Sequence, residues 1–96
     1  MQVTQPSAPE DGLGRALNLG PRSRQMLAEA GVTTLEQLRA RGAVAVFSLV
    51  RRNGANASLN LLWALEGALL GLPWQQVAHE HRTRLLMALE DEQRSR

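Results

Sequence analysis

The sequence predicts one all-α domain, a compact bundle of about five helices around a buried, Leu-rich central helix. Three observations carry this reading. Apolar residues make up 44% of the 96-residue chain, yet only 3% are aromatic, so the core is built from Leu, Ala, Val and Met, which suit helices better than strands. The stretch from Leu59 to Leu70 is apolar nearly all round, the pattern of a helix buried on every side. Val44-Ala45-Val46-Phe47 has strand propensity, but nothing else in the chain offers it a partner strand.

Each element has its own signals. Residues 1–14, with Pro6, Ser7, Pro9, Asp11, Gly12 and Gly14, read as a disordered arm, and the domain is expected over 15–93. Gly20-Pro21 opens the first firm helix, since proline at the first position gives up an amide that has no partner anyway. Met26, Leu27 and Ala30 give it an apolar stripe, and Gly31 is a natural left-handed cap. Thr33 and Glu36 have capping-box spacing for a short second helix that ends at Gly42, with Leu35 and Leu38 facing inward. A third helix spans Ala43 to Arg52, with Val44, Phe47, Leu49 and Val50 apolar, and Asn53-Gly54 ends it. Ser58 is placed to cap the central helix, Leu59 to Leu70. Within that helix Ala64, Gly67 and Ala68, followed by Gly71, form a stripe of small residues that permits close approach. Pro73 restarts the chain, Trp74 to Val77 form one turn, and a last helix runs from about Glu80 to Glu92, with a frayed tail over 94–96.

Composition narrows the functional classes. With no cysteine there is no disulfide, thiolate metal site or thiol nucleophile, which suits a reducing compartment. The N-terminus lacks the pattern of a signal peptide, and no apolar stretch is long enough to span a membrane, so a soluble, cytoplasmic protein is expected. All 11 basic residues are arginine, but the formal net charge is only +2, so their distribution matters more than their total. His79 and His81, two apart on a helix, point to different sides and have no obvious third ligand, so no metal is expected. Ser23 and Ser58 have no histidine arranged beside them. No paired carboxylates and no Gly-rich nucleotide loop are visible. The chain is therefore expected to be non-catalytic, with no cofactor and no small-molecule substrate.

The informative segment is Leu17-Asn18-Leu19-Gly20-Pro21-Arg22-Ser23 and the helix that follows. It is similar to a helix-hairpin-helix unit, whose short hairpin presents backbone amides at a helix N-terminus. Those free N–H groups and the helix dipole attract an anion. The familiar Gly-x-Gly is here Asn18-Leu19-Gly20, and Asn is the non-glycine residue that best tolerates left-handed geometry. Arg22 and Arg24 stand in the first helical turn, where cations are disfavoured unless an anion offsets them. The candidate nucleic-acid-binding residues are therefore Asn18, Gly20, Arg22, Ser23 and Arg24. Arg39, Arg41, Arg51 and Arg52 lie at helix C-termini, where the dipole favours them. Asn60 and Glu66 are the polar residues of the central helix, read as a solvent-facing or loop-bonding strip.

The wider pattern resembles a family. Asn18-Leu19-Gly20-Pro21, Ala28 to Leu38, Gly42-Ala43-Val44 and Ser58 to Leu69 are similar to the C-terminal domain of TfoX (also called Sxy), a bacterial regulator of DNA-uptake competence. The resemblance covers roughly Leu17 to Trp74, and the block from Ser58 to Leu69 is its most specific part. It implies an all-helical fold related to helix-hairpin-helix and SAM-like domains, a regulatory role and a bacterial cytoplasm. Proteins of that name carry a separate N-terminal α/β domain, so this chain is expected to be a stand-alone C-terminal module. Two partner classes follow: DNA, held through hairpin phosphate contacts, or a protein partner or second copy, as SAM-like domains also serve for protein interaction. A basic face around Gly20 to Arg24 favours the first, and an exposed apolar patch around Trp74 and Val77 the second.

Overall fold

The computed structural model describes residues 18–95, and the arm expected over 1–14 lies outside them. Six helices follow one another: α1 (Pro21–Glu29), α2 (Leu35–Arg41), α3 (Ala43–Arg52), α4 (Leu59–Leu70), α5 (Trp74–Glu80) and α6 (Arg82–Arg94). No strand forms among the described residues beyond an isolated bridge position at Thr34. The all-α expectation holds. The extra helix is α5, where the single turn expected after Pro73 continues to Glu80. The break to α6 falls at His81, which caps one helix and opens the next.

Two helices share the centre. α4 buries Leu61, Leu62, Trp63, Ala64, Leu65 and Gly67, as its all-round apolar pattern requires, and packs on α2, α3 and α5. α3 lies against α1, α2, α4 and α6, and Val46, Phe47 and Val50 are fully buried on it. Of the apolar positions named for this helix, Val44 and Leu49 are only partly buried, while Val46 takes a core place. The Val44 to Phe47 run is thus helical because several helices surround it.

Local capping explains the short elements. The capping box before α2 is one residue later than expected. Thr34, not Thr33, is the N-cap, and its hydroxyl accepts from the Gln37 amide at 3.0 Å. Gln37 Oε1 in return accepts from the amides of Thr34 (3.2 Å) and Thr33 (2.7 Å), so one side-chain oxygen satisfies two backbone donors and Glu36 stands outside the box. Ser58 stands at the N-cap of α4 but makes no side-chain capping bond. At the far end of α3, Asn53 Nδ2 donates to the Glu29 carbonyl at 3.1 Å and ties α3 to the end of α1.

Surface arginines add modest local terms. Arg84 pairs with Glu66 at 2.8 Å and meets His81 Nδ1 at 3.2 Å, which gives the polar Glu66 of α4 a partner within the fold. Arg51 lies over the Phe47 ring and Arg82 over the Trp63 ring, 4.9 and 5.8 Å from the centroids. Arg94, at the end of α6, pairs with Asp91 and Glu90.

Candidate nucleic-acid interface

The hairpin is held by one side chain. Asn18 has φ 77°, making it the one non-glycine residue with positive φ among those described. Its Nδ2 donates to the Leu72 carbonyl at 2.9 Å, and its Oδ1 accepts from the Trp74 amide at 3.1 Å. Trp74 is the first residue of α5, whose N-cap, Pro73, has no capping side chain. Asn18 therefore caps α5 from across the fold while pinning the α4–α5 loop. Gly67 makes this possible, because a Cβ there would sit 2.5 Å from both Asn18 Nδ2 and the Leu72 carbonyl oxygen. The small-residue stripe on α4 is thus used at Gly67 by a side chain and a loop carbonyl.

The five residues expected at the site divide. Asn18 commits both polar atoms of its amide within the chain. Arg24 turns back and donates through Nη1 to the Leu19 carbonyl at 3.1 Å, bracing the hairpin from inside. Gly20, Arg22 and Ser23 remain directed to the N-terminal end of α1. Pro21 has no N–H, and the first bond of the helical ladder runs from the Arg24 amide to the Gly20 carbonyl at 2.9 Å. The amides of Arg22 and Ser23 therefore precede the ladder, and no side chain caps them.

Gly20 is informative for what it does not do. Gly31, Gly42, Gly54 and Gly71 have positive φ, and Gly67 is crowded. Gly20 has φ −81° and ψ −179°, open to any residue, and a Cβ built on it meets no atom of the described residues within 4 Å. Among the described residues it is the one glycine that neither backbone geometry nor internal packing requires.

Beside this end of α1 lies an open groove of about 360 Å³. One wall is Asn18, Arg22, Ser23 and Met26, from the hairpin and α1. The other is Asn56, Ala57 and Ser58 with Asn60, Leu61 and Ala64, from the α3–α4 loop and the start of α4, and Trp74 contributes from α5. Two helix N-terminal regions, those of α1 and α4, thus border the same space. Among the described residues Arg22 is the single charged residue in its lining, and no carboxylate of theirs enters it. Arg22, Ser23, Asn56, Ser58 and Asn60 make no side-chain hydrogen bond or ion pair among the described residues.

The sequence did not indicate that Asn56, Ser58 and Asn60 face the hairpin. Asn60 and Glu66 are the two polar residues of an apolar helix, and among the described residues only Glu66 finds a side-chain partner. The apolar patch sought around Trp74 and Val77 does not form, since Val77 is fully buried and Trp74 partly so. The large exposed apolar side chains are instead Leu70 and Met87. No cluster of three or more His, Asp or Glu able to hold a metal occurs among the described residues, and no helix there is long and apolar enough to cross a membrane.

Comparison with known proteins agrees with this architecture. The chain is similar to a solved protein, the crystal structure of an uncharacterized protein from Listeria monocytogenes. The two share 26% identity at a TM-score of 0.74, over 85% of this chain and 93% of that one. No curated protein matches the chain. The model of the TfoX C-terminal domain matches residues 9–89, most of the sequence, and with the hairpin, the helix order and the apolar α4 all in place, the chain belongs to the TfoX C-terminal domain family.

Proposed function

We propose that this domain is a non-catalytic regulatory binding module of the bacterial cytoplasm whose hairpin holds a phosphate of DNA. The amides of Arg22 and Ser23 supply the donors, and the Arg22 guanidinium supplies the counter-charge. The observation that carries this reading is Gly20, an N-cap glycine that neither positive φ nor packing against the described residues requires, standing at a helix N-terminus with no side-chain cap. A phosphate approaching the backbone closely is the kind of neighbour that excludes a Cβ there. The unpaired Arg22 in the first turn of α1 is unfavourable by a few tenths of a kcal/mol or more by itself, and an anion reverses that sign. Arg24 contributes indirectly, through the shape of the hairpin. Phosphate contacts position a nucleic acid without reading its sequence, so binding is salt-dependent and weakly selective.

The test is fluorescence-anisotropy titration of labelled duplex and single-stranded DNA at low and physiological salt, with Arg22→Glu alongside. Salt-sensitive binding that the variant loses while staying folded supports the reading. No binding at low salt removes it. A second reading, a protein-interaction or dimerisation module, has Leu70 and Met87 as its exposed apolar side chains, 47% and 61% accessible. Loss of a sedimentation or pull-down partner in Leu70→Ser/Met87→Ser would favour it.

A further inference from the structure

We propose that the groove beside the hairpin accepts one unstacked nucleotide of a single strand, with its base in the pocket and its phosphate at Arg22. This rests on the phosphate reading of the hairpin and names the kind of nucleic acid that the same site takes.

Charge is the first argument. Among the described residues the groove holds one cation, Arg22, and no carboxylate, which matches a ligand unit with one negative charge. A second groove of about 220 Å³ adjoins it, sharing Arg22, Met26 and Asn56, but carries Glu29 in its lining. That carboxylate repels a following phosphate, so the site is limited to one nucleotide.

Chemistry is the second. Asn56, Ser58 and Asn60 offer both donors and acceptors and have no partners among the described residues. Asparagine is a poor helix former, and Asn60 sits in the first turn of a helix that is otherwise apolar except for Glu66. Its side chain is exposed and makes no hydrogen bond to the described residues. An unpaired base presents its Watson–Crick edge to such groups, whereas a base in a duplex has already used that edge. The half-buried Trp74 and Met26, backed by the buried Leu61 and Ala64, supply the apolar surface on which a ring can lie. The volume, about 360 Å³, falls in the range of small-ligand sites and is too small for a duplex to enter.

The experiment compares four labelled ligands on the full chain: an eight-nucleotide oligo-dT, an oligo-rU, an abasic strand of the same length, and a short duplex. Variants are Asn60→Ala and Arg22→Glu, with circular dichroism confirming that each is folded. Base-bearing strands of either sugar are expected to bind at least about fivefold tighter than the abasic strand, the effect of placing one base on an aromatic and apolar surface. Asn60→Ala is expected to weaken them about threefold or more without changing the salt slope, while Arg22→Glu lowers that slope by about one. If the abasic strand or the duplex binds as well as the base-bearing strands, or Asn60→Ala binds like the wild type, the groove proposal is overturned. Arg22-dependent binding in that case leaves the hairpin reading standing. If no nucleic acid binds at low salt, both readings fall.

Discussion

Asn18 and Gly67 form a lock in which one residue fits only because the other has no side chain. The Asn18 amide bridges the Leu72 carbonyl and the Trp74 amide, and the space it occupies is that of the missing Gly67 Cβ. This joins the candidate phosphate site at one end of the chain to the α4–α5 loop near the other.

Asn18→Ala removes two partly buried hydrogen bonds and places a Cβ residue without polar compensation in left-handed geometry. It is expected to cost about 3 kcal/mol in urea unfolding. Asn18→Gly loses the same bonds but tolerates the positive φ, so it costs about 1 kcal/mol less. Equal costs would remove backbone geometry from the explanation.

Gly67→Ala puts a methyl group 2.5 Å from Asn18 Nδ2 and the Leu72 oxygen. Despite the better helix propensity of alanine, it is expected to destabilise the domain by about 1–3 kcal/mol through overpacking. In an Asn18→Gly background the side-chain clash is gone and the Leu72 carbonyl loses its tether, so the penalty shrinks. A double-mutant cycle reads that coupling.

Two similar-looking caps should behave differently. Thr34→Ala removes an observed capping box and is expected to cost about 1 kcal/mol. Ser58→Ala removes a hydroxyl that makes no capping bond, so its cost stays below about 0.5 kcal/mol. Thermal or urea unfolding of the pair distinguishes them.

Ser48 is buried on α3, and its hydroxyl has no partner among the described residues. An unsatisfied buried hydroxyl costs more than it contributes, so Ser48→Ala is expected to raise stability by about 1 kcal/mol. A loss of stability would mean that the hydroxyl is hydrogen-bonded in solution.

Much of the fold is legible in the sequence because its signals are local. The bounds of α3 and α4 follow from Gly42, Asn53-Gly54 and Gly71, and the burial of α4 follows from its all-round apolar pattern. The left-handed turn at Asn18 follows from the tolerance of that residue. What escapes is non-local. Thr33 and Thr34 both precede a plausible acceptor three residues on, and only the folded turn selects Thr34 with Gln37. Nothing local shows that Asn18 caps α5, because its partners lie 54 and 56 residues away. Arg22 and Arg24 look equivalent as a pair in the first turn, yet α1 turns one to solvent and the other back to Leu19. The polar wall opposite the hairpin likewise exists only once α4 is packed.

Gly20→Val tests the proposal that the hairpin backbone lets a phosphate approach at Gly20. The backbone there is extended and the space around it open, so the variant is expected to fold with a stability loss of no more than about 1 kcal/mol, the difference between these residues at an N-cap. Anisotropy titration of a labelled oligonucleotide at low salt is expected to show binding by the wild type and at least a tenfold loss, about 1.4 kcal/mol, in the folded variant. Unchanged binding by Gly20→Val would contradict the account, because the close backbone approach would then play no part.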